Sequence, residues 1–597
     1  MIVNEKMEVL RKLMNEKNIQ AYIIVTDDFH SSEYVGAYFK VREYLSGFTG
    51  SAGTLVVLNN EAALWTDGRY FIQAEEQLKD STIKLMKSGQ PDVPDIIEYL
   101  YNKLDDGDTI GFDGRTVSNY FAGKLIDSLK EKNIKLSYQI DLADKIWTDR
   151  PPLSKEPVWE LDVKYTGLTR KEKLKSIRSK MEENNTDFLL LTALDEIAWL
   201  LNLRGNDIAC TPVFLAYMIV EKSSATLCVH REILNDELIH KLEHDGIDLA
   251  DYNDFYRLIN EIPTDKTVQL DSETANYYVS KNLPDNIKII NNQSPVVMMK
   301  AVKTPQEMEN IRAAHIKDGA AVTRFIYWLK HHADKEYITE LSAAEKLEQF
   351  RAENDTYLGA SFEPIIAYGA HGAIVHYEPT EKTNVRIEPS GLCLTDTGGH
   401  YLEGTTDITR TIALGKLTDE EKTAFTLVLK GHLNLAAAKF KYGICGENLD
   451  YLARYPLWSH GLDFNHSTGH GVGYLLSVHE GPQRIHWNVN SNPNHYVLEE
   501  GMIISNEPGY YLENHFGIRH ENLVMVRKGQ KNSYGQFMYL ENLTMVPFDR
   551  DAIDPSLLNS FELEYLNDYH KKVFKAISPY LKGSELEWLK KETEEIA

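Results

Sequence analysis

Between residues 390 and 525 the chain places acidic and imidazole side chains at the edges of apolar, strand-like runs. Asp396 ends the run GLCLTD, and Asp407 follows eleven positions later in TTDITRT, with the turn-rich GGHYLEG between them. That spacing predicts a hairpin whose two strands each carry one aspartate. Next come His466-Ser-Thr-Gly-His470-Gly-Val-Gly and His479-Glu-Gly-Pro. MIISNEPGYY sets Glu507 directly behind an apolar run. GIRHENLVMV sets Glu521 in a further predicted strand, with Arg519 two residues earlier on the same face. Carboxylates buried at the ends of apolar strands are costly unless a cation compensates. The four negative charges of Asp396, Asp407, Glu507 and Glu521 balance two divalent cations, and His470 adds a neutral ligand. Oxygen-rich ligation with one imidazole favours manganese, cobalt or iron over a thiolate-type zinc site. Carboxylates can also bridge two metals about 3.5–4 Å apart, a spacing useful in hydrolysis. Any one of these residues alone reads as a surface cap or a satisfied core group. Five in this order, each in a glycine- or strand-rich context, read as a metal centre.

The elements that must position them fall into three parts. The first two are related by an internal repeat. MEVLRKLMNEKNIQAYIIVTD, from Met7, aligns without gaps on LKSIRSKMEENNTDFLLLTALD, from Leu174. Met7, Leu10 and Met14 fall on Leu174, Ile177 and Met181, Asn18 falls on Asn185, and AYIIV falls on FLLLT. Each copy predicts an amphipathic helix followed by a short buried strand. Thr169 and Glu172 have the spacing of a capping box before the second helix. Two similar α/β domains follow, residues 1–150 and 151–302, divided at the proline-rich RPPLSKEP. A third domain, residues 303–597, opens with Thr304, Pro305 and Glu307, which supply an N-cap, a proline at the first helical position and an acid on the first turn. Its later segments alternate helices with antiparallel-type strands, an α+β pattern. Its last stretch, from about Pro555, reads as a charged helical extension.

Bulk properties exclude several classes. A chain of 597 residues exceeds one hydrophobic core. A net charge of −25 argues against nucleic acid or an anionic membrane as the main partner. No apolar run approaches the ~20 residues that span a bilayer. The first helix mixes Glu and Lys and lacks the apolar stretch of a secretory signal, so the cytosol is the expected compartment. Cys210, Cys228, Cys393 and Cys445 include no CxxC pair and are expected to be reduced and structural.

The ordered set Asp396, Asp407, His470, Glu507 and Glu521, with LTDTGGHYLEGTTDITRT, STGHGVG, VHEGP, NEPGYY and GIRHEN, resembles the metallopeptidases of the pita-bread fold. That group includes methionine aminopeptidase, prolidase, creatinase and aminopeptidase P. SGFTGSAGT, LWTDGRYF and YGQFMYLENLTMVP, with the duplicated domains, are similar to the long, three-domain cytosolic Xaa-Pro aminopeptidases. The resemblance implies two creatinase-like N-terminal α/β domains ahead of a pita-bread catalytic domain. It implies two divalent metal ions, most readily Mn2+, with Asp396 chelating one, His470 and Glu507 the other, and Asp407 and Glu521 bridging. Glu507 would also assist the attacking water. His376, in AIVHYEP, His466 and His479 match histidines that line the family's site, with His376 and His479 the candidates for steadying the oxyanion. Arg69, in DGRY, matches an arginine that reaches the peptide, and Arg519 would pair with a ligand carboxylate. The substrates implied are peptides with proline in the second position, and the assembly implied is a homodimer. A prolidase restricted to Xaa-Pro dipeptides is the nearest alternative. A creatinase-type hydrolase and a non-catalytic binding protein of the same fold are more distant ones. His520 departs from the aliphatic residue expected between Arg519 and Glu521. Strand alternation turns it away from the metals.

Overall fold

The computed structural model describes residues 1–489 and 494–597. Two compact units emerge, one of residues 1–161 and 168–296, the other of residues 162–167 and 297–597.

The first unit contains two six-stranded sheets with one plan. In the first, β1 (Ala21–Val25), β2 (Thr54–Leu58), β3 (Ala62–Thr66), β4 (Ile83–Lys87), β5 (Thr109–Gly111) and β6 (Lys135–Ser137) lie in the order β4-β3-β2-β1-β5-β6. In the second, the spatial order is Asp248–Ala250, Ala225–Val229, Ala216–Glu221, Phe188–Leu191, Thr267–Leu270 and Lys288–Asn291. Numbered along the chain this is the same permutation, and each neighbouring pair keeps its parallel or antiparallel sense. The repeat read from the sequence is therefore a repeat of topology. The leading helices, Val3–Glu16 and Arg170–Glu183, bury Met7, Leu10 and Met14 in one copy and Leu174, Ile177 and Met181 in the other. Asn18 and Asn185 share a physical reason for their register. Both have positive φ, 56° and 53°, in the turn from helix to strand, a conformation asparagine tolerates better than most residues. Thr169 accepts from the Glu172 backbone N–H, completing the expected capping box.

The second unit is α+β and pita-bread in architecture. Helix Pro305–His332 starts at the Thr304 cap and buries Val322, Phe325, Ile326 and Leu329. The strands are antiparallel. One sheet joins Ile365–Tyr368, Leu392–Thr397 and Ile408–Ala413. Another joins Lys439–Lys441, Gly535–Asn542, Asn522–Asn532 and Ile503–Asn506. Helices Asp419–Ala436 and Ser560–Ile577 cover them through a core that includes Phe425, Val428, Leu433, Leu566, Tyr569 and Val573. Helices Ser560–Ile577 and Gly583–Glu592 form the expected C-terminal extension.

His520 faces into this core, although it lies in a break between two strands and not inside one. Its ring meets Phe425 at 4.2 Å and Phe548 at 5.6 Å. His432 and His570 flank the same Phe548 ring. Burial holds all three histidines below their ordinary pKa, His432 and His570 to about 3, with the buried Arg410 charge adding to the effect. They stay neutral in the folded chain, whereas an unfolded chain protonates them below about pH 6.5. Stability is thus lost as pH falls from 6.5 towards 3. Between pH 7 and pH 5, a His520→Leu variant should lose less unfolding free energy than the wild type. Denaturant titrations at the two pH values measure this. Parallel losses in the two proteins would contradict it.

Candidate metal centre

The segments that carry Asp396, Asp407, His470 and Glu521 are each held by a buried ion pair or by a buried cation. The hairpin predicted around the aspartates forms, with Asp396 opposite Thr409 across the antiparallel pair. Asp407 sits one residue before its strand, and the intervening turn is itself a small sheet in which Gly399–Tyr401 pairs with Tyr357–Ala360 and Gly404–Thr405. Arg351 and Asp318, both fully buried, form a bidentate pair beneath this turn. Arg351 donates to Thr397 Oγ1 and the Gly398 carbonyl, while Asp318 accepts from Tyr401 and from Thr406 Oγ1. Both ends of the turn are thereby gripped one residue away from an aspartate. Helix Asp450–Trp458 does the same for the histidine loop. Its Arg454 pairs with Asp450 at 2.8 Å and donates to the carbonyls of Phe464 and His466, and Asp450 accepts from Thr468. Gly469 is required here, because a Cβ at this position would lie 2.0 Å from the Ser505 carbonyl oxygen. Lys300 pairs with Glu480, beside His479, at 3.2 Å in a buried site. Arg410 donates to the backbone carbonyls of Thr409 and Glu521.

Glu521 is not inside a strand, contrary to the sequence expectation. Phe516–Arg519 pairs with Gly509–Leu512, Asn522–Asn532 pairs with Ile503–Asn506, and His520 and Glu521 form the break where the chain passes from one sheet to the other. In that break the Glu521 N–H donates to the Thr409 carbonyl, across from the aspartate hairpin.

The acids converge. Asp407, His470 and Glu521 each offer a ligand atom within 4.8 Å of the others, a set not repeated elsewhere among the described residues. His470 Nε2 lies 3.4 Å from Asp407 Oδ2 and 3.5 Å from Glu507 Oε1. Arg519 donates to Asp396 Oδ2 at 2.6 Å, and Thr409 Oγ1 donates to Glu521 Oε2 at 2.8 Å. The other oxygens of these two acids, Asp396 Oδ1 and Glu521 Oε1, are buried without a hydrogen-bond partner. Burial, then mutual repulsion among the carboxylates, holds Asp396, Glu507 and Glu521 above the usual carboxylate range, Glu521 most strongly. Burial alone would lower the His470 pKa, but Asp407 and Glu507 outweigh it and push it up to about 9. Buried acceptors of this kind are costly unless something positive meets them. Two orphaned carboxylate oxygens among four converging acids and one imidazole fit a pair of oxygen-loving divalent cations.

The histidines surround this cluster. The His470 and His479 rings are 4.3 Å apart, edge to face, and His376 lies 6.4 Å from His479 with its ring nearly parallel. His466 Nδ1 lies 3.7 Å from Glu507 Oε2, and its Nε2 meets the Tyr511 hydroxyl at 2.8 Å. Tyr511 also accepts from Arg519 at 2.7 Å, so one phenol links His466 to the Arg519–Asp396 pair. Sequence reasoning missed Tyr511. Its position on NEPGYY, four residues after Glu507, was the available signal. Arg69 belongs to the first unit, where its guanidinium makes two 2.8 Å bonds to Asp67 and lies 3.7 Å from Glu33.

Residues 309–528 match metallopeptidase family M24, and residues 536–596 match the C-terminal region of that family. Residues 6–146 and 149–307 each match a creatinase/prolidase N-terminal domain. A probable Xaa-Pro aminopeptidase P of Laccaria bicolor is 41% identical over 98% of this chain and 93% of its own length. The chain belongs to the Xaa-Pro aminopeptidases of family M24. Aminopeptidase P2 of Arabidopsis thaliana is 39% identical over 100% of this chain and 89% of its own length. Among solved structures, the X-prolyl aminopeptidase of Caenorhabditis elegans superposes with a TM-score of 0.96 at 36% identity and full coverage of both chains. It is described as a cytosolic enzyme with a di-nuclear active site. Members of this family are metallopeptidases.

Proposed function

We propose that this chain removes the N-terminal residue from peptides with proline in the second position, using two divalent metal ions, most readily Mn2+. The observation that carries the reading is the convergence of Asp407, His470 and Glu521, with Glu507 on His470 and two unpartnered buried carboxylate oxygens. Asp396 would hold one metal, His470 and Glu507 the other, and Asp407 and Glu521 both. When bound, the metals supply Lewis-acid polarisation of the scissile carbonyl and a nucleophile at neutral pH. The protein supplies the rest. Glu507, 3.5 Å from His470, takes the proton from the attacking water. His376 and His479, on the rim of the cluster, steady the oxyanion as the tetrahedral centre forms. His466, locked by Tyr511, lines the same space, and Arg69 contacts the peptide. Proline lacks an N–H and its ring fixes the backbone, so a site shaped to it exploits a bond that other peptidases handle poorly. We further propose that the enzyme works in the cytosol as a homodimer. No described helix is long and apolar enough to cross a membrane, and the net charge of −25 disfavours nucleic acid as a partner.

Treatment with a chelator should abolish hydrolysis of Ala-Pro-Ala, and added Mn2+ should restore it. The intact enzyme should cleave Ala-Pro-Ala well and Ala-Pro poorly, because a dipeptidase needs the free carboxylate next to proline. The reverse preference would make the chain a prolidase. Full activity after exhaustive chelation would remove the metal from the reaction.

A further inference from the structure

His376 stands between two anchors, and only one of them belongs to the metal centre. On one side, Arg519, which also grips Asp396, donates to the carbonyl of Val375. On the other side, the anchor is the carboxylate of Glu340, the first residue of helix Glu340–Ala352, which is fully buried. Four donors converge on it from a single stretch of chain. Oε1 accepts from the Tyr368 N–H at 2.9 Å and from His371 Nδ1 at 2.8 Å. Oε2 accepts from the Tyr377 hydroxyl at 2.8 Å and from the Val385 N–H at 3.3 Å. The His371 and Tyr377 rings stack at 4.4 Å, which closes the loop on itself. Among the described residues Glu340 has no lysine or arginine partner within salt-bridge reach, so these hydrogen bonds are what hold the buried carboxylate.

We propose that Glu340 is a positioning residue for His376. Its carboxylate fixes the loop 368–385, so that the imidazole of His376 stands at the reacting carbonyl rather than sampling the space around it. The inference rests on the reading of His376 given above and extends it. A catalytic group displaced by about 1 Å can lose about a hundredfold in rate. Glutamine in place of Glu340 keeps the shape but turns an NH2 towards two of the four donors.

The test is a double-mutant cycle in the full-length, Mn2+-loaded enzyme with Ala-Pro-Ala, reading kcat, KM, metal per chain and Tm. Glu340→Gln should lower kcat about 10- to 100-fold while KM changes less than about threefold. Two metals per chain and the wild-type Tm should be kept to within a few degrees. His376→Ala should lower kcat at least as much, and the double variant should be no worse than His376→Ala alone. A multiplicative loss in the double variant, or a loss of metal that parallels the loss of kcat in Glu340→Gln, would overturn the inference. If His376→Ala is slow but Glu340→Gln is not, the positioning role fails while the reading of His376 stands. If His376→Ala retains wild-type kcat, both fail. Should Glu340→Gln not fold, Tyr377→Phe removes one donor and leaves the carboxylate. It should lower kcat several-fold, again without effect on a His376→Ala background, and an unchanged kcat would overturn the proposal.

Discussion

Asp407→Ala should yield a folded protein that no longer binds its metals and has lost at least about a thousandfold in kcat, some 4 kcal/mol of barrier. Asp407 is the acid that meets His470 most closely, at 3.4 Å, and it belongs to the tight set with Glu521. Without metal, its carboxylate adds to the repulsion that keeps Asp396, Glu507 and Glu521 hard to ionise. Removing it relieves that repulsion and also takes a partner from His470, two opposing effects that should leave the metal-free Tm close to that of the metal-free wild type. Adding Mn2+ separates the two proteins. The wild type gains stability as RT ln(1 + [M]/Kd), about 2.7 kcal/mol at a hundred times Kd, and the variant gains little. Scanning calorimetry with and without Mn2+ reads both effects. A variant that still shows the full Mn2+ stabilisation would remove Asp407 from the ligand set.

Arg519→Met should be damaging in a different way. The guanidinium donates to Asp396, Tyr511 and the Val375 carbonyl, and its side chain is 2% exposed. Taking it away leaves Asp396 as an uncompensated buried charge, which costs about 3–5 kcal/mol when a pair is broken. Metal affinity should fall about 10- to 100-fold through the loss of an oriented ligand. Because the metals themselves compensate Asp396, the loss of stability should be largest in the metal-free protein and smaller at saturating Mn2+. Urea unfolding under the two conditions shows whether the deficit shrinks. An equal deficit in both would mean that Arg519 serves the fold alone.

How much of this was legible in the sequence depended on distance along the chain. The aspartate hairpin, the strand before Glu507 and the helix–strand repeat are local patterns, carried by apolar periodicity and turn residues within a few positions. Even Asn18 and Asn185 were legible as a matched pair before their shared backbone conformation was known. The partners that hold the site were not. That Arg519 pairs with a ligand carboxylate came from the resemblance alone, and the acid it meets, Asp396, lies 123 positions away; Glu340 gathers donors from 28 to 45 positions away with no signal at all. A buried arginine or glutamate has no periodic signature, so its partner is set by the tertiary fold. Glu521 was misread for a related reason. The run GIRHENLVMV looks like one continuous strand, but its halves pair with different sheets, and the chain must break at His520–Glu521 to serve both.

The separate anchoring of each ligand-bearing segment has a consequence for how such a centre decays. The Asp318–Arg351 pair, the Asp450–Arg454 pair, the Lys300–Glu480 pair and Arg410 share no member. No single keystone carries the geometry, so weakening one support should tilt the donors it holds, two in the case of Asp318–Arg351, and leave the rest standing. Wear in this enzyme would then be graded, one cation becoming exchangeable while its neighbour stays put. Damaged copies would pass through a half-loaded state before they empty.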